Sequence, residues 1–217
     1  MPTHVPPRVA WVLGDPAGIG PEIVAKSLAS PEMEGVCRPV VVGPAWLLER
    51  GMEVAQVNLA AALWDSASTG EPPAGSPPVV DQGWPVADFP PGRLNAAGGK
   101  LCIEMLRTAV AMARAGAVDA VVFAPLNKEA LRLGGNPHPD EHHLVAEWLG
   151  EPAFGEINAV GRLFTTRVTS HVPLRDVPSL LRPDKIVRAV KMLYTTLVRA
   201  GIENPVLAVA ALNPHGG

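Results

Sequence analysis

The sequence predicts an α/β protein built on a largely parallel sheet, because short apolar runs of β type alternate along the chain with segments of helical apolar spacing. The first run also opens through a glycine-rich turn directly onto a helix, as in a βαβ unit. Residues 8–13 (RVAWVL) are that run, closed by Gly14-Asp15-Pro16-Ala17-Gly18-Ile19-Gly20-Pro21-Glu22. Pro21 suits a first helical position and Glu22 complements the helix dipole, while Ile23, Val24 and Leu28 supply an apolar face. Residues 38–42 (RPVVV), ended by Gly43-Pro44, read as the next strand, and 45–50 as a short helix.

Residues 65–93 hold seven prolines (Pro72, Pro73, Pro77, Pro78, Pro85, Pro90 and Pro91), so they read as a long surface excursion without regular elements, or as a linker between domains. Helical spacing returns over 95–115 through Leu101, Met105, Leu106, Ala109, Val110 and Met112, with Gly116 as the terminating glycine. Residues 118–124 (VDAVVFA) read as a buried strand, and 125–130 open another helix. A strand over 163–169, a helix over 183–200 and a strand over 205–212 complete the alternation.

The 217 residues allow one large domain or two small ones, and 47% apolar with 18% charged residues excludes intrinsic disorder. A net charge of −3 with scattered Lys and Arg gives no nucleic-acid or membrane patch, which leaves small-molecule chemistry. Cys37 and Cys102 lie in apolar surroundings without a nearby His or second Cys and read as reduced thiols. Neither a signal-peptide core nor an apolar run of membrane-spanning length occurs, so the expected location is the cytoplasm.

The glycine loop lacks the GxGxxG spacing of a dinucleotide fingerprint, yet a glycine turn at a helix N-terminus offers backbone N–H groups to an anion. A plain tight turn would look similar. His171 and His215 each follow an expected strand, which would place both at the ligand-binding carboxyl edge of a sheet. Two such imidazoles suit a divalent metal needing further ligands; each alone would equally suit a hydrogen-bonded loop residue. His142 and His143, beside Asp140 and Glu141, head a helix carrying Leu144, Val145, Trp148 and Leu149, where an acidic first turn with solvated imidazoles is the plain reading. His4 and His138 carry no signal.

Four segments in order, the loop 14–22, Ala124-Pro125-Leu126-Asn127-Lys128-Glu129-Ala130, Ser170-His171-Val172-Pro173-Leu174-Arg175-Asp176-Val177 and Leu212-Asn213-Pro214-His215, resemble the signatures of the 4-hydroxythreonine-4-phosphate dehydrogenase family. The resemblance spans essentially the whole chain. It implies a two-domain fold like that of isocitrate and isopropylmalate dehydrogenases, with 1–126 as the N-terminal, cofactor-side domain and 127–217 as the central domain for metal, substrate and dimer contacts. It further implies NAD-dependent, metal-assisted oxidation of a secondary alcohol in a small hydroxy acid, followed by decarboxylation. His171 and His215 would be metal ligands for Zn, Mg or Co, Asp15, Gly18, Ile19 and Gly20 would bind the cofactor, and the protein would be a homodimer.

Two departures stand out. Where the family has Gly-His-Thr-Glu against the substrate phosphate, this chain reads Asp140-Glu141-His142-His143, so Glu141 replaces the His and His142 the Thr. An added carboxylate repels a phosphate, which makes a non-phosphorylated hydroxy acid or a cis-dihydrodiol the competing substrate class, with Glu141, His142 and His143 as substrate residues. Family chains also run on past the Asn-Pro-His motif, where the third metal ligand lies. The expectation is therefore a fragment or a truncated product, inactive by itself, its central segment from about Asn127 the better-preserved part; a non-catalytic binding protein is the rival.

Overall fold

The computed structural model describes residues 5–65, 76–151, 154–170, 172–213 and 215. The chain divides into two compact units, Met1–Pro152 and Ala153–Gly217. The first unit runs β1 (Arg8–Val12), α1 (Gly20–Leu28), β2 (Arg38–Val42), α2 (Ala45–Ala55), β3 (Ala62–Leu63), β4 (Pro78–Val80), α3 (Ala96–Arg114), β5 (Ala120–Phe123), α4 (Lys128–Leu133) and α5 (Glu141–Leu149). Its five strands form one sheet in the order β3-β4-β2-β1-β5, and every pairing is parallel.

A parallel sheet is covered on both faces, so its strands read as continuous apolar runs rather than as alternations. Val40, Val41, Val42, Val79 and Val80 are all buried, as are Ala10, Val12 and Leu13. Helix α3 packs on β1, β2 and β5 through the stripe the spacing predicts, with Met105, Leu106 and Ala109 fully buried. Asn95 caps it, its side-chain oxygen accepting from the N–H groups of Ala97 (2.8 Å) and Gly98 (3.2 Å). Helices α1 and α2 pack on each other.

The structure differs from the sequence reading at several elements. The proline-rich excursion contains β4, seated between β3 and β2, because Pro78 stands at a strand start, where its missing N–H costs least. Residues 66–75 of that stretch lie outside the described ones. The strand expected to be buried, β5, is an edge that pairs with β1 only among the described residues, leaving Val122 53% and Phe123 36% exposed. Helices α4 and α5 both pack on α3 and belong to the first compact unit.

The second unit holds an antiparallel hairpin, β6 (Asn158–Val160) and β7 (Leu163–Thr165), then α6 (Val177–Leu180) and α7 (Pro183–Arg199). Residues 163–169 thus give a short hairpin strand and not a member of the parallel sheet. Residues 205–212 form no strand, since no neighbour hydrogen-bonds to them among the described residues. The apolar stripe of α7, including Ile186, Val190 and Leu193, lines a groove of about 550 Å³ with Val206 and Ala208. Leu197 is the one buried apolar side chain of this unit among the described residues. The buried core lies around the five-stranded sheet.

Candidate functional site

Strands β1 and β5 are parallel neighbours, so the segments that follow them emerge side by side at the carboxyl edge of the sheet, where α/β folds bind ligands. The Asp15 N–H donates to the Pro125 carbonyl at 3.0 Å, which ties the glycine loop to the Ala124–Asn127 segment. Gly14 makes this approach possible: its φ is +79°, and a Cβ there would sit 2.7 Å from the Pro125 carbonyl oxygen. A Cβ on Gly20 would sit 2.3 Å from the Leu13 carbonyl oxygen. On the neighbouring segment, the Asn127 side chain accepts from the Ala130 N–H at 3.0 Å and so starts α4, with Lys128 exposed beside it.

The loop has an inner and an outer half. Asp15 is buried, its Oδ1 accepting from the Ala17 N–H at 2.9 Å and its carbonyl from the Gly18 N–H at 3.0 Å. The Gly92 N–H donates to the Ala17 carbonyl at 2.8 Å. The carboxylate therefore shapes the loop from within. Gly18 and Ile19 form its surface, Ile19 being 59% exposed. Ile19 caps α1 without any side-chain bond, and the N–H groups of Ile19 and Gly20 meet no acceptor among the described residues. Those donors and the α1 dipole fit an anionic group such as a pyrophosphate. Beneath them the Cys102 thiol donates to the Gly14 carbonyl at 3.4 Å; burial, with the Asp15 carboxylate, pushes its pKa far up and keeps it neutral.

A second polar cluster heads α5. Asp140 is the N-cap, its Oδ1 accepting from the His143 N–H at 3.0 Å and from the His143 ring Nδ1 at 2.7 Å, which makes Nδ1 the protonated ring nitrogen. Burial raises the Asp140 carboxyl, but the two His143 hydrogen bonds and the charges of His143 and His142 outweigh it and hold the group below its ordinary value. A carboxylate so depressed stabilises the fold above its unfolded pKa, and that contribution is lost as pH falls through the folded value. Asp140→Ala should accordingly cost about 1 kcal/mol at neutral pH, measured by denaturant unfolding, with the difference from the parent shrinking in acid. A difference independent of pH would contradict the assignment.

The remaining members were unevenly foreseen. Among the described residues Glu141 Oε2 is buried without a hydrogen-bond partner, and His142 stands half-exposed with Nδ1 3.9 Å from Glu141 Oε1. His138, which the sequence reading passed over, pairs through Nε2 with Glu147 Oε2 and stacks on His143 at 6.3 Å between ring centroids. Buried Asn136 completes the turn, accepting from the His138 N–H at 3.0 Å. No local sequence signal marks the pairing of His138 with Glu147, nine residues apart and on different segments.

His171 lies outside the described residues, and His215 is exposed. Because β7 ends at Thr165 and 205–212 form no strand, the strand-end argument for the two histidines does not hold. No group of three metal-ligating side chains occurs among the described residues.

The family model of the pyridoxal phosphate biosynthetic protein PdxA matches residues 35–217. The chain belongs to the PdxA family. It is 37% identical over 218 residues to the D-threonate 4-phosphate dehydrogenase of Bordetella bronchiseptica, a match covering 97% of this chain and 61% of that protein. The structure of a 4-hydroxythreonine-4-phosphate dehydrogenase from Burkholderia phymatum, 32% identical, matches with a TM-score of 0.85 over 98% of this chain and 64% of that one. A terephthalate 1,2-cis-dihydrodiol dehydrogenase from Burkholderia xenovorans, 30% identical, matches at 0.65 over 96% and 62%. The chain thus spans less than two thirds of each of these PdxA-like relatives. No helix among the described residues is long and apolar enough to cross a membrane.

Proposed function

We propose that this PdxA-family protein is an NAD-dependent oxidoreductase that oxidises the secondary alcohol of a small hydroxy acid, with decarboxylation of the β-keto acid where the substrate permits. The observation that supports it is the meeting of two family-type segments, the glycine loop and residues 124–130, at the carboxyl edge of β1 and β5. On this reading Asp15 shapes the cofactor loop, and Gly18, Ile19 and Gly20 present it. NAD would accept the hydride, and a divalent ion would stabilise negative charge on the substrate oxygen. The loop fits the anionic part of such a cofactor. The metal assignment to His171 and His215 rests on the resemblance, and no step is derived through it. Residues 1–126 would serve the cofactor side and 127–217 the metal, substrate and homodimer side of a two-domain, isocitrate-dehydrogenase-like fold.

The substrate class turns on Glu141, His142 and His143. A carboxylate with one oxygen buried and unpaired among the described residues, next to the Asp140 carboxylate, disfavours a phosphate dianion and supports a non-phosphorylated hydroxy acid or a cis-dihydrodiol as the alternative. NADH formation should be followed with 4-phosphohydroxythreonine, D-threonate 4-phosphate, their dephosphorylated counterparts and a cis-dihydrodiol. We expect kcat/KM to favour a non-phosphorylated compound by about tenfold, the scale of one unfavourable charge contact. A clear preference for a phosphorylated compound would show that the motif change is tolerated. Because this chain is expected to be inactive by itself, the assay is made on a version of the relatives' full length, and absence of NADH with every compound there would overturn the dehydrogenase reading.

A further inference from the structure

The two peptide groups at the heart of the glycine loop are bonded at both ends. That between Pro16 and Ala17 gives its N–H to Asp15 Oδ1, and that between Ala17 and Gly18 gives its N–H to the Asp15 carbonyl and its oxygen to the Gly92 N–H. The remaining oxygen, on Pro16, is taken by Arg50 Nη2. Arg50 belongs to α2, 34 residues away, and also donates through Nη1 to the Phe89 carbonyl at 3.4 Å. Its guanidinium lies 6.0 Å from the Trp46 ring centroid, and that ring is in turn stacked on Phe89 at 6.1 Å.

The next residue explains the reach. A Cβ on Gly51 would sit 2.4 Å from the Pro21 carbonyl oxygen, so α2 touches the first turn of α1 backbone to backbone. That contact brings Arg50 under the loop. The cation has no carboxylate partner among the described residues; both its acceptors are main-chain oxygens. Five donors in a fixed planar fork suit two carbonyls on different segments, which one ammonium matches poorly.

We propose that Arg50 is a positioning residue that holds the Pro16 carbonyl and thereby fixes the turn whose Ile19 and Gly20 N–H groups are left without an acceptor among the described residues at the α1 N-terminus. The cofactor role of those groups rests on the reading proposed above; the positioning itself does not. The test compares the parent with Arg50→Met and Arg50→Lys by amide hydrogen exchange over residues 15–23 without ligand, by NAD⁺ titration, and by global unfolding. Arg50→Met should speed exchange in the loop and α1 first turn about tenfold and weaken NAD⁺ by a similar factor, the scale of a hydrogen bond to a charged group. Arg50→Lys should recover part of both, and added guanidinium at non-denaturing concentration should partly restore loop protection in Arg50→Met. Faster exchange throughout the first unit in proportion to lost stability, or unchanged loop exchange in both variants, would overturn the proposal. Should the parent fail to bind NAD⁺ while loop exchange responds as stated, the cofactor reading falls and the role of Arg50 stands.

Discussion

Gly99→Ala should destabilise the first unit by about 3 kcal/mol, at the upper end of ordinary overpacking, and push α4 off α3. A Cβ on Gly99 would lie 1.7 Å from the Ala130 carbonyl oxygen and 2.2 Å from its carbon. These are backbone atoms and cannot rotate aside. The contact is reciprocal: a Cβ on Gly134 would meet the Lys100 nitrogen at 2.3 Å. Alanine is otherwise the better helix former by about 1 kcal/mol, so the loss runs against local propensity. Gly98→Ala is the internal control, since its nearest neighbours would be side-chain atoms, at 3.2 Å for Pro16 and 3.5 Å for Phe89. Denaturant unfolding of the two variants decides the matter, and equal stability of Gly99→Ala and Gly98→Ala would refute the close approach. Because α4 begins beside Asn127 and Lys128, Gly99→Ala should also disturb the carboxyl edge of β5.

On the metal assignment proposed above, replacing either His171 or His215 with Ala should lower divalent-metal affinity by about a hundredfold or more, at or above the upper end of what the loss of an outer-sphere partner costs. Two ligands of one ion act as a unit, so the double variant should be little worse than either single one. Titration calorimetry with Zn²⁺, Mg²⁺ and Co²⁺ measures this, and the affinity should fall with pH as the imidazoles protonate. Unchanged affinity in both single variants would remove the two histidines from any metal site.

The elements legible in the sequence are those whose signals are local. Residues 38–42 read as a strand and are β2, the helical stripe of residues 95–115 is α3, one residue shorter at each end, and the period-3.6 stripe of residues 183–200 ends one residue before the expected boundary, as α7. Strand β4 was hidden because its evidence lies in Val41 and Val42 across the sheet and not in its own proline-rich neighbourhood. Residues 205–212 fail for the converse reason: an apolar β-prone run becomes a strand only beside a hydrogen-bonding partner.

The same division runs through the candidate site. Sequence alone determined that a glycine loop precedes a helix, that residues 124–130 open another, and that Asp140 heads α5, since turn, cap and helix-start chemistry depend on neighbours a few residues apart. Tertiary structure alone decided that Asp15 turns inward, that the loop leans on the Pro125 carbonyl, that His138 pairs with Glu147, and that Arg50 reaches Pro16. It also left β5, with a sequence fit for an interior strand, at the sheet edge. Each of these is a hydrogen bond or packing contact between segments whose separation in the chain carries no periodic signal, so folding had to bring them together before it could be read.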